Sequence, residues 1–489
     1  MNKQVAIVGG GVIGGGWAAR FLLNGWDVRI FDLDPQAERK TKAVLENARR
    51  ALPGLTDVAM PPEGGLTHCK TIAEAVTDCA LIVEAVPERL EVKHAVYAEI
   101  EAANTTGIIA SSTSGIMPTD LQSELAHPER LIVAHPFNPV YLLPLVELVA
   151  GEKTNAAFIE QAKDLYSSIG MHPLHCRVEI EGFLSDRLQE ALWREALWLL
   201  KDEVATAEEL DAAIAYGPGL RWAQMGTMQT FHLAGGEGGM RAMLAMFGPC
   251  LKWPWTKLMD VPDLTDDFVE MVGDQCDTQS GDLTPRDLER IRDKNLVGTI
   301  RALRGSDWGA GATAKAHDRV LAALNGMDAR AADVDVSQPI VTGSRTVPLD
   351  WTDYNGHMNE ARYLQAFGDG TDRFMEMIGC DAAYIATGGS YFTAETHIRH
   401  IDEVHAGARI EIKTQVILGQ GKKMHLWHEM YEGARLIATS EHMLIHVSLE
   451  TRKPSNPSPE IDANLLRIAE AHAKLERPVA AGASVGVRR

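Results

Sequence analysis

The sequence predicts a multidomain chain: an α/β domain on a doubly wound parallel sheet, then an all-α domain, then an α+β domain. Three observations predict it. Short apolar runs alternate with helical patterns through residues 1–182, which asks for parallel strands joined by crossover helices. Helical periodicity with little strand signal fills 183–326. After an acidic, proline-containing linker at 327–343, one helix precedes several strands across 344–452, the pattern of a sheet wrapped around a helix. A chain of 489 residues is too long for one core, so its length also asks for such a division. Residues 453–489 hold a short amphipathic helix and a small-residue tail expected to lack fixed structure.

The first element is Val5-Ala6-Ile7-Val8, four apolar residues that read as a buried parallel strand. Gly9, Gly11 and Gly14 follow with the spacing G-x-G-x-x-G, and Trp17 to Leu23 then turns helical. Gly9 suits a tight turn, Gly11 lets the backbone approach a pyrophosphate, and Gly14 permits close helix–strand packing. Val12 and Ile13 stand at the start of the helix, where unpaired N–H groups and the dipole favour phosphate. A second strand, Val28-Arg29-Ile30-Phe31, ends in Asp32, placed to accept hydrogen bonds from an adenosine ribose diol. An acid there repels a 2′-phosphate. The expectation is a Rossmann domain that binds NAD rather than NADP.

Composition narrows the function. A net charge of −20 argues against a nucleic-acid partner. No apolar run approaches a membrane span, and the first strand begins so early that no leader is expected. Six well-separated cysteines with no C-x-x-C pair suit a reducing cytoplasm.

Further strands are Leu81 to Glu84, Ile108 to Ser111 and Leu131 to Ala134, and ligands in such sheets bind where strands end. Polar residues cluster there, in Ser112-Thr113-Ser114-Gly115 and His135-Pro136-Phe137-Asn138-Pro139. Oxidising an alcohol needs a base for the hydroxyl proton, and histidine in that role contributes about 10²–10⁴-fold. Glu147, after Leu143-Pro144-Leu145-Val146, is a carboxylate able to orient it. On pattern alone, a structural histidine fits His135 equally well.

These residues resemble the 3-hydroxyacyl-CoA dehydrogenase family over about 1–320. The resemblance implies that His135 is the catalytic base, that Glu147 orients it, that Ser114 holds the reacting oxygen, and that Asn138 is the family's catalytic asparagine. It places Glu84 and Lys93 near the nicotinamide ribose. Two departures matter. Where the family reads Gly-Phe-x-x-Asn-Arg, this chain has Gly182-Phe183-Leu184-Ser185-Asp186-Arg187, putting a carboxylate in place of an amide. That charge is awkward beside an anionic thioester enolate and tolerable or useful beside a cation. The long helical hairpin that holds CoA is also shortened here to Leu33–Gly65, which favours a small free substrate. The resemblance is therefore to the branch that takes free hydroxy acids such as gulonate and L-carnitine. Trp193, Trp198, Tyr216, Trp222, Phe231, Trp253 and Trp255 supply aromatics for a trimethylammonium cage or, individually, for helix packing.

In the last domain, Asp353-Tyr354-Asn355-Gly356-His357-Met358-Asn359 puts an acid on a turn just before a helix. Read blind, this is a capped helix start. It resembles the Asp-x-x-Gly-His-x-Asn signature of hotdog-fold thioesterases of the 4-hydroxybenzoyl-CoA type, over about 343–450. The resemblance implies that Asp353 is nucleophile or general base, that Gly356 and His357 are backbone oxyanion donors, and that Asn359 is in support. No metal is expected: His425 and His428 alternate across a strand, and His442 with His446 has no third ligand.

Joined, the halves resemble fusions of a carnitine-oxidising dehydrogenase with a thioesterase acting on betainyl-CoA, both substrates carrying the same quaternary ammonium. A separate cleavage enzyme would connect the two reactions. Such families form homodimers or higher homo-oligomers. The alternatives are a dehydrogenase for another small 3-hydroxy acid or a 3-hydroxyacyl-CoA, with the hotdog as an assembly or ligand-binding module.

Overall fold

The computed structural model describes residues 3–483 other than 224, 248–255, 257–262 and 264. The expected aromatics Trp253 and Trp255, and the end of the tail at 484–489, lie outside the described residues. By contact the chain forms two units, Met1–Ala48 with Gly64–Ala316, and Arg49–Glu63 with His317–Arg489.

The first unit carries an eight-stranded sheet. Its strands are β1 Gln4–Val8, β2 Asp27–Phe31, β3 Leu66–His68, β4 Leu81–Glu84, β5 Ile108–Ser111, β6 Leu131–Pro136, β7 Leu145–Ala150 and β8 His172–Cys176. Their order is β3-β2-β1-β4-β5-β6-β7-β8, parallel through β6. The last two strands reverse: β7 runs antiparallel to β6, and β8 is parallel to β7. All residues of β4, β5 and β6 are buried, which is why these strands read as continuous apolar runs rather than alternating ones. Trp17 and Phe21 of the helix Val12–Leu23 are buried too, and the donors of Arg20 beside them are satisfied by carbonyls, Ile169 O at 2.9 Å and Tyr141 O at 2.8 Å.

A long helix spans Ser185–Lys201, and the unit is helical from there, including Pro285–Arg304. Large apolar side chains stand exposed along Ser185–Lys201, among them Leu188, Leu192 and Trp193.

The second unit is an antiparallel sheet of β9 Ile340–Thr346, β10 Gly389–His400, β11 Arg409–Gln420, β12 Lys423–Glu432 and β13 Arg435–Ser448, ordered β10-β13-β12-β11-β9. The helix Glu360–Ile378 packs against it through Tyr363, Phe367 and Phe374, and the helix Pro459–His472 through Leu465 and Ile468. The sequence suggests a strand from Arg345 to Trp351; β9 instead begins at Ile340, inside the expected linker, and ends at Thr346. Pro348 cannot donate to a ladder, and Leu349–Trp351 forms a 3₁₀ turn.

Residues 49–63 belong to this second unit. Ala59 N donates to Ser344 O of β9 at 2.7 Å, and Asn325 Nδ2 donates to Ala59 O at 3.1 Å. Asp57 pairs with Arg345, whose guanidinium also lies 4.3 Å from the Trp351 ring. The segment thus covers an edge strand that would otherwise present unpaired backbone groups.

Candidate active sites

The glycine loop has the shape a dinucleotide needs. Gly9 has φ +105°, and a Cβ there would meet Ala85 O at 2.5 Å. A Cβ on Gly14 would sit 1.7 Å from Gly9 O, so only glycine fits where the helix crosses the strand. Gly11 faces open space and is the N-cap of the Val12 helix with no side-chain cap, leaving the first N–H groups of Val12 and Ile13's turn for a phosphate. Asp32 closes the loop: its Oδ2 accepts from Gly10 N at 2.5 Å and its Oδ1 from Asp34 N at 2.6 Å. These features fit NAD. Gly11 and Val12 also border a cavity of about 410 Å³ with Asn138, Tyr141, Arg286 and Arg292.

Glu84 and Lys93, expected near the nicotinamide ribose, are buried in a pair at 2.8 Å. Tyr97 OH and Ser111 Oγ donate to the other Glu84 oxygen at 2.7 and 2.6 Å, so this carboxylate is fully employed inside the sheet. The more exposed member of the network is Glu88, which the sequence reading passed over. It lies 3.3 Å from Lys93 Nζ, accepts from Ser114 N at 3.0 Å and Gly115 N at 3.2 Å, and bonds Thr113 Oγ1. Burial pushes its carboxyl up, but the bond from Thr113 and the Lys93 charge outweigh it and leave it below the ordinary range. Glu88 shapes the loop that carries Ser114. Its sequence signal was the second acid of Glu84-Ala85-Val86-Pro87-Glu88.

His135 and Glu147 meet as expected. They are directly opposed across β6 and β7, and His135 Nδ1 lies 2.9 Å from Glu147 Oε2. The other oxygen, Oε1, accepts from Leu184 N at 3.2 Å, Ser185 N at 2.9 Å and Ser185 Oγ at 3.0 Å. Burial alone pushes the Glu147 carboxyl up; the bonds from His135 and Ser185 overcome it and hold it below its ordinary value. On the opposite side of the imidazole, Asp186 Oδ2 stands 3.7 Å from Nε2. Burial pushes the Asp186 carboxyl up, opposed by His135 and reinforced by Glu147. The rings against His135 are Phe137 at 4.7 Å and Phe183 at 5.7 Å; Trp193, Tyr216, Trp222 and Phe231 are exposed.

In the second unit, Asp353 sits on the turn before the helix Glu360–Ile378, whose N-cap Asn359 accepts from Ala361 N at 3.0 Å. The turn folds onto the acid. Asp353 Oδ1 accepts from Asn355 N at 2.8 Å and, loosely, from His357 N at 3.4 Å. Gly356, at φ +80°, donates its N–H to Asp353 O at 3.0 Å, so one of the two expected oxyanion donors is engaged within the turn. Glu403 and His405 join the site unannounced by sequence, since a lone bridge between His357 and His405 brings distant segments together. His405 Nδ1 donates to Gly356 O at 3.0 Å, and His357 Nε2 lies 3.5 Å from Glu403 Oε2. These three side chains hold ligand atoms within 4.8 Å of one another. The strand histidines are hydrogen-bonded: His428 to Thr371 and Thr414, His442 to Thr371, His446 to Tyr384 and Ser455, and His425 to Glu441.

Residues 4–179 match the NAD-binding domain of 3-hydroxyacyl-CoA dehydrogenase, 182–261 match that enzyme's C-terminal domain, and 347–465 match the thioesterase-like superfamily. A protein of Ruegeria pomeroyi named L-carnitine dehydrogenase/betainyl-CoA thioesterase is 60% identical, covering 98% of both chains. The chain belongs to this bifunctional family. It is an NAD-dependent dehydrogenase of the 3-hydroxyacyl-CoA type joined to a hotdog thioesterase. Mesorhizobium japonicum has an L-carnitine dehydrogenase 58% identical to it, matching 66% of this chain and 90% of that one. Among solved structures, 5-formyl-3-hydroxy-2-methylpyridine 4-carboxylic acid 5-dehydrogenase, an NAD+-dependent dismutase, is 30% identical with TM-score 0.54. That match covers 62% of this chain and 99% of that one.

Proposed function

We propose that the first unit oxidises L-carnitine to 3-dehydrocarnitine with NAD, and that the second hydrolyses betainyl-CoA to glycine betaine and CoA. The observation that carries the first assignment is the His135–Glu147 pair with Asp186 beyond it, a base held in place inside an acidic site. His135 Nε2 takes the C3 hydroxyl proton as hydride leaves C3, and Glu147 stabilises the imidazolium that results. Bound NAD supplies the hydride acceptor. Ser114 and Asn138 steady the substrate oxygen, with Glu84 and Lys93 acting from behind through Glu88.

In the second unit, Asp353 attacks the thioester carbonyl or activates water toward it. The loosely held His357 N–H is the turn's donor for the developing oxyanion, with Gly356 giving the turn its shape. The exposed apolar row on the helix Ser185–Lys201 supports a homodimer through that face. Among the described residues no helix is long and apolar enough to cross a membrane, and we place the enzyme in the cytoplasm, without nucleic-acid partners.

The test is NADH formation at alkaline pH from L-carnitine, D-carnitine, gulonate and 3-hydroxybutyryl-CoA, side by side. Turnover of L-carnitine that disappears in His135→Ala supports the assignment. Turnover of the CoA thioester without L-carnitine overturns it. Hydrolysis of betainyl-CoA, followed by thiol release, tests the second unit in the same preparation.

A further inference from the structure

The base of the dehydrogenase site is bracketed by carboxylates. Glu147 holds His135 Nδ1 at 2.9 Å, and Asp186 Oδ2 stands 3.7 Å from Nε2, the nitrogen that meets the substrate hydroxyl. The two acids have different surroundings. Glu147 is fully buried, and four hydrogen-bonding groups share its oxygens: His135 Nδ1, Leu184 N, Ser185 N and Ser185 Oγ. Asp186 keeps a side-chain exposure of 20%, and the groups that act on it besides His135 are further acids: Glu147, Glu190 and Glu88. The nearby cations are turned elsewhere. Arg187 Nη1 donates to Glu181 O at 3.2 Å, Arg194 lies 3.5 Å from Glu190, and Lys93 is buried against Glu84 and Glu88.

A partly buried carboxylate in an acidic surround, next to the reacting atom, favours a cationic group on the substrate. A quaternary ammonium is such a cation, recognised through charge and contact alone. In L-carnitine that group lies two bonds from the C3 carbon whose hydroxyl meets Nε2. We propose that Asp186 determines specificity, pairing with the quaternary ammonium of the substrate and disfavouring anionic hydroxyacyl compounds at the same position. This rests on the substrate reading above and assigns that reading to one residue.

The experiment compares L-carnitine with its isostere 3-hydroxy-5,5-dimethylhexanoate, in which an uncharged tert-butyl group replaces trimethylammonium and the carboxylate is kept, in the full-length enzyme. Asp186→Asn keeps the shape and removes the charge; Asp186→Glu keeps the charge. The expected result is a carnitine-over-isostere ratio of kcat/KM that falls at least about tenfold in Asp186→Asn, through KM for L-carnitine, and persists in Asp186→Glu even where turnover drops. Equal losses on both substrates, or an unchanged ratio, would overturn the proposal, since Asp186 would then act through His135 or not at all. Wild-type turnover of L-carnitine reads the substrate assignment separately. Binding of tetramethylammonium, followed by saturation-transfer NMR, reads Asp186 whichever substrate is turned over: weakening in Asp186→Asn supports the pairing, and an unchanged affinity refutes it.

Discussion

His135 and Glu147 are register partners across the antiparallel pair β6–β7, and one 2.9 Å contact between Nδ1 and Oε2 joins them. Directly opposed residues on such a pair project to the same face, so the sheet itself aligns base and carboxylate. Because Oε1 also receives the start of the helix Ser185–Lys201, Glu147 fixes both the imidazole and the segment bearing Asp186. Glu147→Gln should lower kcat for NADH formation by about 10²–10⁴-fold, with a stability loss of about 1–3 kcal/mol in urea titrations. A kcat loss smaller than about tenfold would reduce Glu147 to a structural role.

The second reaction should fail independently. Asp353→Asn keeps the Asx-type turn, whose oxygen still accepts from Asn355 N, and removes the carboxylate. Betainyl-CoA hydrolysis should fall by about 10²-fold or more while NADH formation stays within about twofold of wild type. Hydrolysis that survives would favour the hotdog as a binding or assembly module.

Acid should weaken the second unit before the groups in its core protonate. His428 and His442 are buried against Thr371, and burial holds both below the ordinary imidazole range, His442 down to about 4. Above about pH 6.5 these rings are neutral folded or unfolded and contribute no pH dependence. Below that, the unfolded chain binds protons that the folded one refuses, so stability falls as pH drops toward the folded values. For His442 alone the loss reaches about 3 kcal/mol near pH 4. Urea midpoints read between pH 7 and 4.5 should show this slope, and His442→Gln should flatten it.

Asp57→Ala should loosen the thioesterase although residue 57 precedes most of the dehydrogenase in sequence. Arg345, its partner, is 6% exposed, while the Asp57 side chain is 40% exposed and partly screened. The expected cost is about 1–3 kcal/mol, seen as earlier thermal loss of betainyl-CoA hydrolysis with NADH formation retained. Simultaneous loss of both activities would contradict it.

What the sequence made legible were features written locally. The glycine spacing, the acid closing β2, the histidine at the end of β6 and the Asp353 turn each lie within a few residues of the element that uses them. Glu147 was legible because a strand returns it opposite His135. Glu88 was missed because its task, holding three consecutive groups at 113–115, depends on a loop packing against it. Glu403 and His405 left no trace near His357, since only the folded chain brings those segments together. The burial of Glu84 with Lys93 is not written in either residue alone, since only their mutual neutralisation allows a charged pair inside the sheet.

The assignment of residues 49–63 has a consequence for how this protein can be divided. The chain passes from one unit to the other after Ala48, returns at Gly64, and crosses again at His317. The second unit is therefore discontinuous in sequence, its short segment 49–63 lying inside the stretch that otherwise builds the first. A cut at the apparent linker releases a thioesterase without the strip that covers β9, and leaves the dehydrogenase with a loop whose packing partner is gone. In this chain, then, the strip at 49–63 is a part of the thioesterase unit that the dehydrogenase sequence carries.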